Sequence, residues 1–334
     1  MALGKERQRI VVTDSETRSM EIEIEEAKKH EMDLIRADCK REDEVIELAK
    51  DADAVLVDMA PITRRVIETL KKCKVIVRYG IGYDNIDLGA ATDAYIYVAN
   101  LPGYCIDEVS SHAVALTLAA SKKLFQYSRD VKAGVWDIEK QLPMIDLRAS
   151  RVGVVGLGNI GRAYARKMRT FSDDIVAYDP FIKQKDIADT GIKMLALEEL
   201  LRTSDIISLH IPVTEETRNM FGERQLKIMK STAFLINTAR GAIVDENALY
   251  EALKAGIIAG AGLDALIVEE PNSKNPLFEL DNVIVTPHVA FYSKTALRNM
   301  HRMAVQTAIK VLMGEIPDNV LNRNEILLRR GAKK

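Results

Sequence analysis

Polar and apolar positions along this chain group into short blocks whose period switches repeatedly between strand-like and helix-like. Between residues 9 and 103, apolar runs at 10–13, 32–36, 54–57, 75–77 and 95–99 are short and rich in β-favouring residues. Residues 42–50 and 63–71 carry apolar positions three and four apart, the spacing of a helix with one buried face. Strands alternating with helices predict a parallel sheet, so this stretch reads as a small α/β domain. A longer helix, rich in Ala, Val and Leu, is predicted from 107 to about 125, suited to a buried crossing between domains or to a dimer contact. Apolar runs then recur at 152–155, 175–178, 206–209, 234–236, 261–263 and 283–285, and a helix is predicted at 295–313. Residues 314–322 read as a turn and a terminal segment that periodicity assigns to neither domain.

Residues 151–181 organise the rest. An apolar run enters the cluster Gly156-Leu157-Gly158-Asn159-Ile160-Gly161, and a helical pattern leaves it. Gly156 allows a tight strand-to-helix turn, Gly158 keeps a Cβ away from a pyrophosphate, and Gly161 lets helix and strand pack closely. The bare N–H groups at the helix start, around Asn159 and Ile160, can then hold a phosphate. Asp179 ends the next apolar run, 18 residues beyond Gly161, where a carboxylate accepts both ribose hydroxyls. It would repel a 2′-phosphate, so NAD rather than NADP is expected.

In an open α/β sheet, ligands sit beyond the carboxyl ends of the strands. The residues found there are His210, Arg240 after Asn-Thr-Ala, Asp264, and His288 after Thr-Pro. Hydride transfer needs a group that binds substrate and polarises its carbonyl, and a group that moves a proton. The fork of Arg240 suits the first task. A histidine suits the second, and a carboxylate hydrogen-bonded to it fixes its tautomer and favours its protonated form. Glu269 and Glu270 lie on the intervening loop. The plain alternative is that Arg240 pairs with a surface acid and His288 caps a strand. For His112, inside the long helix, a packed, hydrogen-bonded core histidine is the expectation.

Composition narrows the classes. A chain of 334 residues suggests two domains. Apolar content of 47% supports a sizeable core, and 29% charged residues with a net charge of −2 give no reason to expect nucleic acid or an anionic membrane. Cys39, Cys73 and Cys105 are too scattered for a disulfide framework or a metal site, so reduced thiols in a cytoplasmic protein are expected. No signal-like start and no long apolar span is found. The tail Arg-Arg-Gly-Ala-Lys-Lys reads as solvated.

These motifs resemble the D-isomer-specific 2-hydroxyacid dehydrogenase family nearly end to end. The likeness is carried by R-Y-G-I-G-Y-D-N-I-D at 78–87, N-L-P-G-Y-C-I-D-E-V-S-S-H-A at 100–113 and G-L-G-N-I-G-R at 156–162. H-I-P-V-T-E-E-T at 210–217, N-T-A-R-G-A-I-V-D-E at 237–246, G-L-D at 262–264 and T-P-H-V-A-F-Y-S at 286–293 extend it. Several stretches look similar to the bacterial branch related to the C-terminal-binding-protein corepressors. The resemblance implies an α/β chain of two doubly wound parallel-sheet domains. A Rossmann-type NAD domain at 105–294 is inserted into a flavodoxin-like substrate domain formed by 1–104 and 295–334.

It further implies interconversion of a D-2-hydroxy acid and its 2-keto acid, with Arg240, a glutamate and His288 as the catalytic set. Counting from Asp264 and back from His288 selects Glu269, whereas adjacency to Pro271 selects Glu270; Glu269 is the preferred assignment. Arg78 would face substrate, and Ile81 and Gly82 would offer N–H groups to its carboxylate. Met59 and Tyr292 would line the pocket or serve core packing. His210, Pro212, Thr214, Thr238, Ala239 and Asp264 would lie along the cofactor. A cytoplasmic homodimer without a metal is expected. A corepressor-like, NAD(H)-sensing dimer with little turnover is the competing function.

Overall fold

The apolar runs assemble into two separate parallel sheets. The structure, a computed structural model, describes residues 7–15, 19–141, 144–270 and 274–331. Two compact units result, one made of Met1–Tyr104 with Ser293–Lys334 and the other of Cys105–Tyr292. The second junction falls two residues before the 294/295 boundary expected from the sequence, at the start of a helix capped by Ser293.

In the first unit, β1 (Arg9–Val12), α1 (Glu21–Lys29), β2 (Asp33–Arg36), α2 (Glu42–Ala49), β3 (Ala54–Val57), α3 (Arg64–Ile67), β4 (Val75–Arg78), α4 (Leu88–Asp93) and β5 (Tyr97–Ala99) follow in order. The sheet order is β2-β1-β3-β4-β5, the flavodoxin-like arrangement whose switch point lies between β1 and β3. β3 is buried at every position, as a strand covered on both faces must be. Helix α3 covers only four of the residues expected to be helical at 63–71.

The second unit runs through α5 (Ile106–Ser121), α6 (Leu124–Lys132), β6 (Arg151–Val155), α7 (Asn159–Met168), β7 (Asp174–Tyr178), β8 (Lys193–Met194), α8 (Leu197–Thr203), β9 (Ile206–Leu209), α9 (Glu223–Ile228), β10 (Phe234–Asn237), α10 (Glu246–Lys254), β11 (Gly260–Leu263) and β12 (Val283–Val285). Its order, β12-β11-β10-β9-β6-β7-β8, reverses direction between β6 and β9, as in a dinucleotide-binding sheet. Alternate residues of each strand feed opposite cores. Val152, Val154, Ile175, Ile206 and Ile236 pack with Leu116, Tyr164 and Met168, whereas Val155, Val176, Ile207, Leu209 and Leu235 pack with Leu200, Leu226 and Leu249. That is the period-two rule applied to a sheet covered on both sides.

The helix expected at 107–125 is two helices. It stops at Ser121, and Lys123 takes a left-handed φ of +49 before α6 begins. The chain returns to the first unit through α11 (Lys294–Leu312), and α12 (Arg323–Gly331) closes it. Residues 320–322 sew onto β5: Leu321 donates to Val98 O, and Asn322 Oδ1 accepts from Val98 N at 3.0 Å. This assigns the 314–322 segment to the first unit. The described tail residues, Arg329 to Gly331, are exposed as expected, although Arg329 pairs with Asp93 at 2.8 Å and Arg330 lies over the Tyr97 ring; 332–334 lie outside the described residues. All three cysteines are free and buried, and burial pushes the Cys39 thiol up to about 11 and the Cys73 thiol up to about 12. Among the described residues, no helix is long and apolar enough to cross a membrane.

Candidate active site

The nucleotide loop shows three glycines with three different constraints. Gly156 has φ +91, and a Cβ there would lie 2.5 Å from His210 O. At Gly161 a Cβ would lie 2.0 Å from Gly156 O, so this glycine lets α7 begin against the turn. Gly158 is extended and caps α7, and a Cβ on it would meet nothing within 4 Å. Space therefore remains open at Gly158, in front of the first-turn N–H groups of Asn159 and Ile160, which no helical carbonyl can satisfy. Asp179 is held beside the loop: Oδ2 accepts from Leu157 N at 2.9 Å and Oδ1 from Phe181 N at 2.9 Å. Each oxygen keeps a lone pair for a ribose hydroxyl. Thr238 Oγ1 is buried with no hydrogen-bond partner among the described residues. A buried orphan hydroxyl is costly unless a ligand completes it. These features fit a bound dinucleotide.

His210 follows β9, with Nε2 2.9 Å from Ser208 Oγ and its ring 5.0 Å from the Tyr164 ring. Burial pushes its pKa down to about 3, so it stays neutral near pH 7. Pro212 and Thr214 share a polar turn with Thr217, whose Oγ1 donates to Pro212 O at 2.6 Å and accepts from Thr214 N at 2.7 Å.

His288 sits just beyond β12 on a strained turn with φ +51. A left-handed non-glycine residue costs about 1 to 2 kcal/mol, so the surroundings must impose it. Asp264, 2% exposed at the end of β11, does this. Its O accepts the His288 N–H at 2.9 Å, Oδ1 accepts from Thr286 Oγ1 and from Val289 N, and Oδ2 accepts from Ala290 N at 2.9 Å. Asp264, expected along the cofactor, also shapes this turn through its carboxylate. His112 joins from α5, with Nε2 2.9 Å from Thr286 Oγ1. It is hydrogen-bonded, as expected, but its partner belongs to the turn that carries His288.

The turn aims His288 Nδ1 at Glu269 Oε2, 2.8 Å away. Glu269 is the glutamate that meets the imidazole; Glu270 is exposed, and Pro271 lies outside the described residues. Burial pushes the Glu269 carboxyl up, but the hydrogen bond and charge of His288, the Leu266 N–H and the Arg240 charge outweigh it and hold it below the usual glutamate range. Arg240 begins the turn after β10. Asn237 braces it, donating to Arg240 O at 2.8 Å and accepting from Ala239 N at 3.0 Å, while Arg240 Nη1 donates to Ala239 O. Gly241 then permits a contact no other residue allows: a Cβ there would lie 2.0 Å from Leu266 C. This close approach brings the arginine turn against the loop that bears Glu269.

In the first unit, Asp14 at the end of β1 accepts the N–H groups of Asp58, Met59 and Ala60 at 3.0, 2.6 and 2.9 Å. It thereby fixes the turn after β3, leaving Met59 63% exposed. Arg78 lies 3.4 Å from Asp58, donates to Tyr79 O at 2.7 Å, and folds back across Gly80, whose φ is +148. No intramolecular acceptor for the N–H groups of Ile81 and Gly82 is found among the described residues. Tyr292 is 58% exposed beside Phe291, whose ring packs edge-on to His288 at 6.4 Å. Sequence reasoning passed over Asp14, Asn237, Gly241, Thr286 and Phe291. Asp14, Asn237 and Thr286 end apolar runs and were open to the strand-end test; Gly241 and Phe291 carry no signal of their own. Among the described residues, no group of three or more His, Cys, Asp or Glu could hold a metal.

A parallel sheet whose order reverses at a glycine loop, with an acid and a buried hydroxyl at its strand ends, defines a dinucleotide-binding domain. Residues 114–290 match the model of the D-isomer specific 2-hydroxyacid dehydrogenase, NAD binding domain, and the chain belongs to that family. A glyoxylate reductase of Korarchaeum cryptofilum is 40% identical over 289 residues, 85% of this chain and 87% of its own. A D-3-phosphoglycerate dehydrogenase of Archaeoglobus fulgidus is 38% identical over 288 residues, 86% of this chain but 54% of its own length. The crystal structure of D-lactate dehydrogenase from Aquifex aeolicus with NAD and lactic acid superposes with a TM-score of 0.83 at 29% identity, covering 92% of this chain and 96% of that one.

Proposed function

We propose that this protein interconverts a D-2-hydroxy acid and its 2-keto acid. The observation that carries the reading is the His288 Nδ1–Glu269 Oε2 hydrogen bond of 2.8 Å, set on a strained turn with Arg240 close enough to act on the glutamate. The nicotinamide, when bound, supplies hydride to C2 of the keto acid or accepts it from the hydroxy acid. In reduction, Arg240 orients the acid and polarises its carbonyl. His288 gives its Nε2 proton to the forming alkoxide, and Glu269 stabilises the imidazolium through Nδ1. In the first unit, the N–H groups of Ile81 and Gly82, with Arg78, are assigned to the substrate carboxylate and Met59 to its side chain; in the second unit, Tyr292 is assigned to that side chain. Gly156, Gly158, Asn159, Ile160, Gly161, Asp179, His210, Pro212, Thr214, Thr238, Ala239 and Asp264 are assigned to NAD.

The test is NADH oxidation with glyoxylate, pyruvate, hydroxypyruvate and branched or aromatic 2-keto acids. Saturable turnover with at least one supports the reading, and the pattern ranks substrate size. No turnover with any, alongside tight NADH binding, favours the corepressor-like alternative and sinks the enzyme reading.

The Glu269 pairing predicts a pH effect. A glutamate held below its usual range stays ionised as the solution acidifies, so the anion is present wherever His288 must carry a proton. The pairing contributes above the ordinary glutamate range and fades as pH falls through the lowered value. With Glu269→Gln, the alkaline limb of the reduction profile moves to lower pH. Identical kcat/KM profiles for the variant and the parent would remove Glu269 from this role.

We also assign dimer formation to the second unit. Leu124, Phe125, Val131, Trp136 and Ile138 are 46–87% exposed on and just after α6. Apolar side chains so closely spaced on one surface segment mark a contact face. Light scattering is expected to give about twice the 37.3 kDa chain mass; a single-chain mass at micromolar concentration would rule the dimer out.

A further inference from the structure

Glu23 is the least expected buried group in the first unit. It lies on α1, is 0% exposed, and has one carboxylate oxygen, Oε2, with no partner among the described residues. The other oxygen, Oε1, accepts from the Tyr79 hydroxyl at 2.8 Å and is hydrogen-bonded to His301 Nδ1. Tyr79 is 1% exposed and His301 5% exposed, and their rings stack tilted at 5.4 Å. Burial and the neighbouring Glu23 push the Tyr79 phenol well above its usual range, so it remains a hydrogen-bond donor. Three elements, α1, α11 and the end of β4, are thus tied at one buried carboxylate oxygen.

Burying a half-satisfied carboxylate is costly, and apolar side chains would fill this space more cheaply. What the arrangement controls is the segment that leaves β4. Tyr79 N donates to Val57 O at 2.7 Å, and Tyr79 O receives the Arg78 guanidinium at 2.7 Å. The next residue is Gly80, whose O accepts from Leu101 N, followed by the acceptor-free N–H groups of Ile81 and Gly82. The phenol is therefore the inner anchor of the backbone that carries Arg78 on one side and the two donors on the other.

We propose that Tyr79, Glu23 and His301 form a buried positioning triad that sets the 78–82 segment, and with it the affinity for the 2-keto acid rather than turnover. The inference rests on the reading that 78–82 holds the substrate carboxylate. These are positioning residues, acting through Arg78, Ile81 and Gly82.

The experiment compares the 334-residue chain with its Tyr79→Phe, His301→Leu, His301→Asn and Arg78→Ala variants, using NADH and the best 2-keto acid. Tyr79→Phe removes one hydroxyl and is expected to raise KM for the keto acid about three- to tenfold, the scale of one hydrogen bond. Its kcat and its KM for NADH should stay within about twofold of the parent. His301→Leu should move KM the same way, and His301→Asn, whose amide can still donate to Glu23, should restore it. If Arg78→Ala raises KM while Tyr79→Phe lowers melting temperature without moving KM, the triad only supports the fold. That result overturns the proposal and leaves the substrate reading standing. If neither Arg78→Ala nor Tyr79→Phe moves KM, both readings fall. Should His301→Leu fail to fold, the nearly isosteric Tyr79→Phe decides alone.

Discussion

With His288 replaced by Gln, turnover of NADH with the preferred 2-keto acid falls by at least about 10²-fold, the usual scale for a general acid or base. NADH affinity, read by quenching of its fluorescence or by calorimetry, stays within about twofold. The reason is geometric. His288 has one nitrogen engaged by Glu269 at 2.8 Å, which leaves Nε2 to handle the substrate proton. Its backbone is held at φ +51 by contacts from Asp264 and Thr286. Gln can fill the space but cannot carry the proton. Full activity in this variant would end the assignment of His288 as acid–base. His210 makes the contrasting control: pushed down to about 3 by burial, it has no proton to give near neutrality.

The second large effect is expected at Gly161. In Gly161→Ala the added Cβ would lie 2.0 Å from Gly156 O, inside any allowed contact. Helix α7 must then shift away from the turn that both residues form. Overpacking of this kind costs about 1 to 3 kcal/mol of stability. The displaced first turn also misplaces the N–H groups around Gly158. NADH affinity should weaken at least about tenfold, the equivalent of about 1.4 kcal/mol. A melting temperature and an NADH Kd both unchanged would show that α7 does not hold the dinucleotide. Gly158→Ala is the informative partner, because its Cβ meets no protein atom within 4 Å, so lost NADH binding without lost stability would report the ligand alone.

Much of this was legible because a parallel strand buried on both faces is a short apolar block with polar ends. The limits 54–57, 206–209 and 283–285 read from the sequence coincide with β3, β9 and β12. Strand ends then point to ligand-facing residues, which is how His210, Arg240, Asp264 and His288 were selected. Spacing left Glu269 and Glu270 both open, because a one-residue difference on a loop carries no period; geometry pairs Glu269 with the imidazole. Other features were illegible for identifiable reasons. Glu21–Lys29 begins Glu-Ile-Glu-Ile, an alternation that imitates a strand, yet α1 is helical and buries Glu23 against tertiary partners. The break at Lys123 has no glycine or proline to announce it. Strand β8 is two residues long. Asp264 satisfied the strand-end test, but nothing in one dimension shows that its carboxylate also holds the turn at 286–290.

The stitching of residues 320–322 onto β5 has a bearing on how the molecule is made. Val98 N, Thr92 Oγ1 and Ile96 O all rely on Asn322, more than 220 positions downstream, so this edge of the small sheet stays incomplete until residues 320–322 have emerged. The larger sheet, drawn wholly from Cys105–Tyr292, needs no such wait. Synthesis from the amino terminus therefore favours maturation of the nucleotide half first, with the lobe that begins the chain being the last to close.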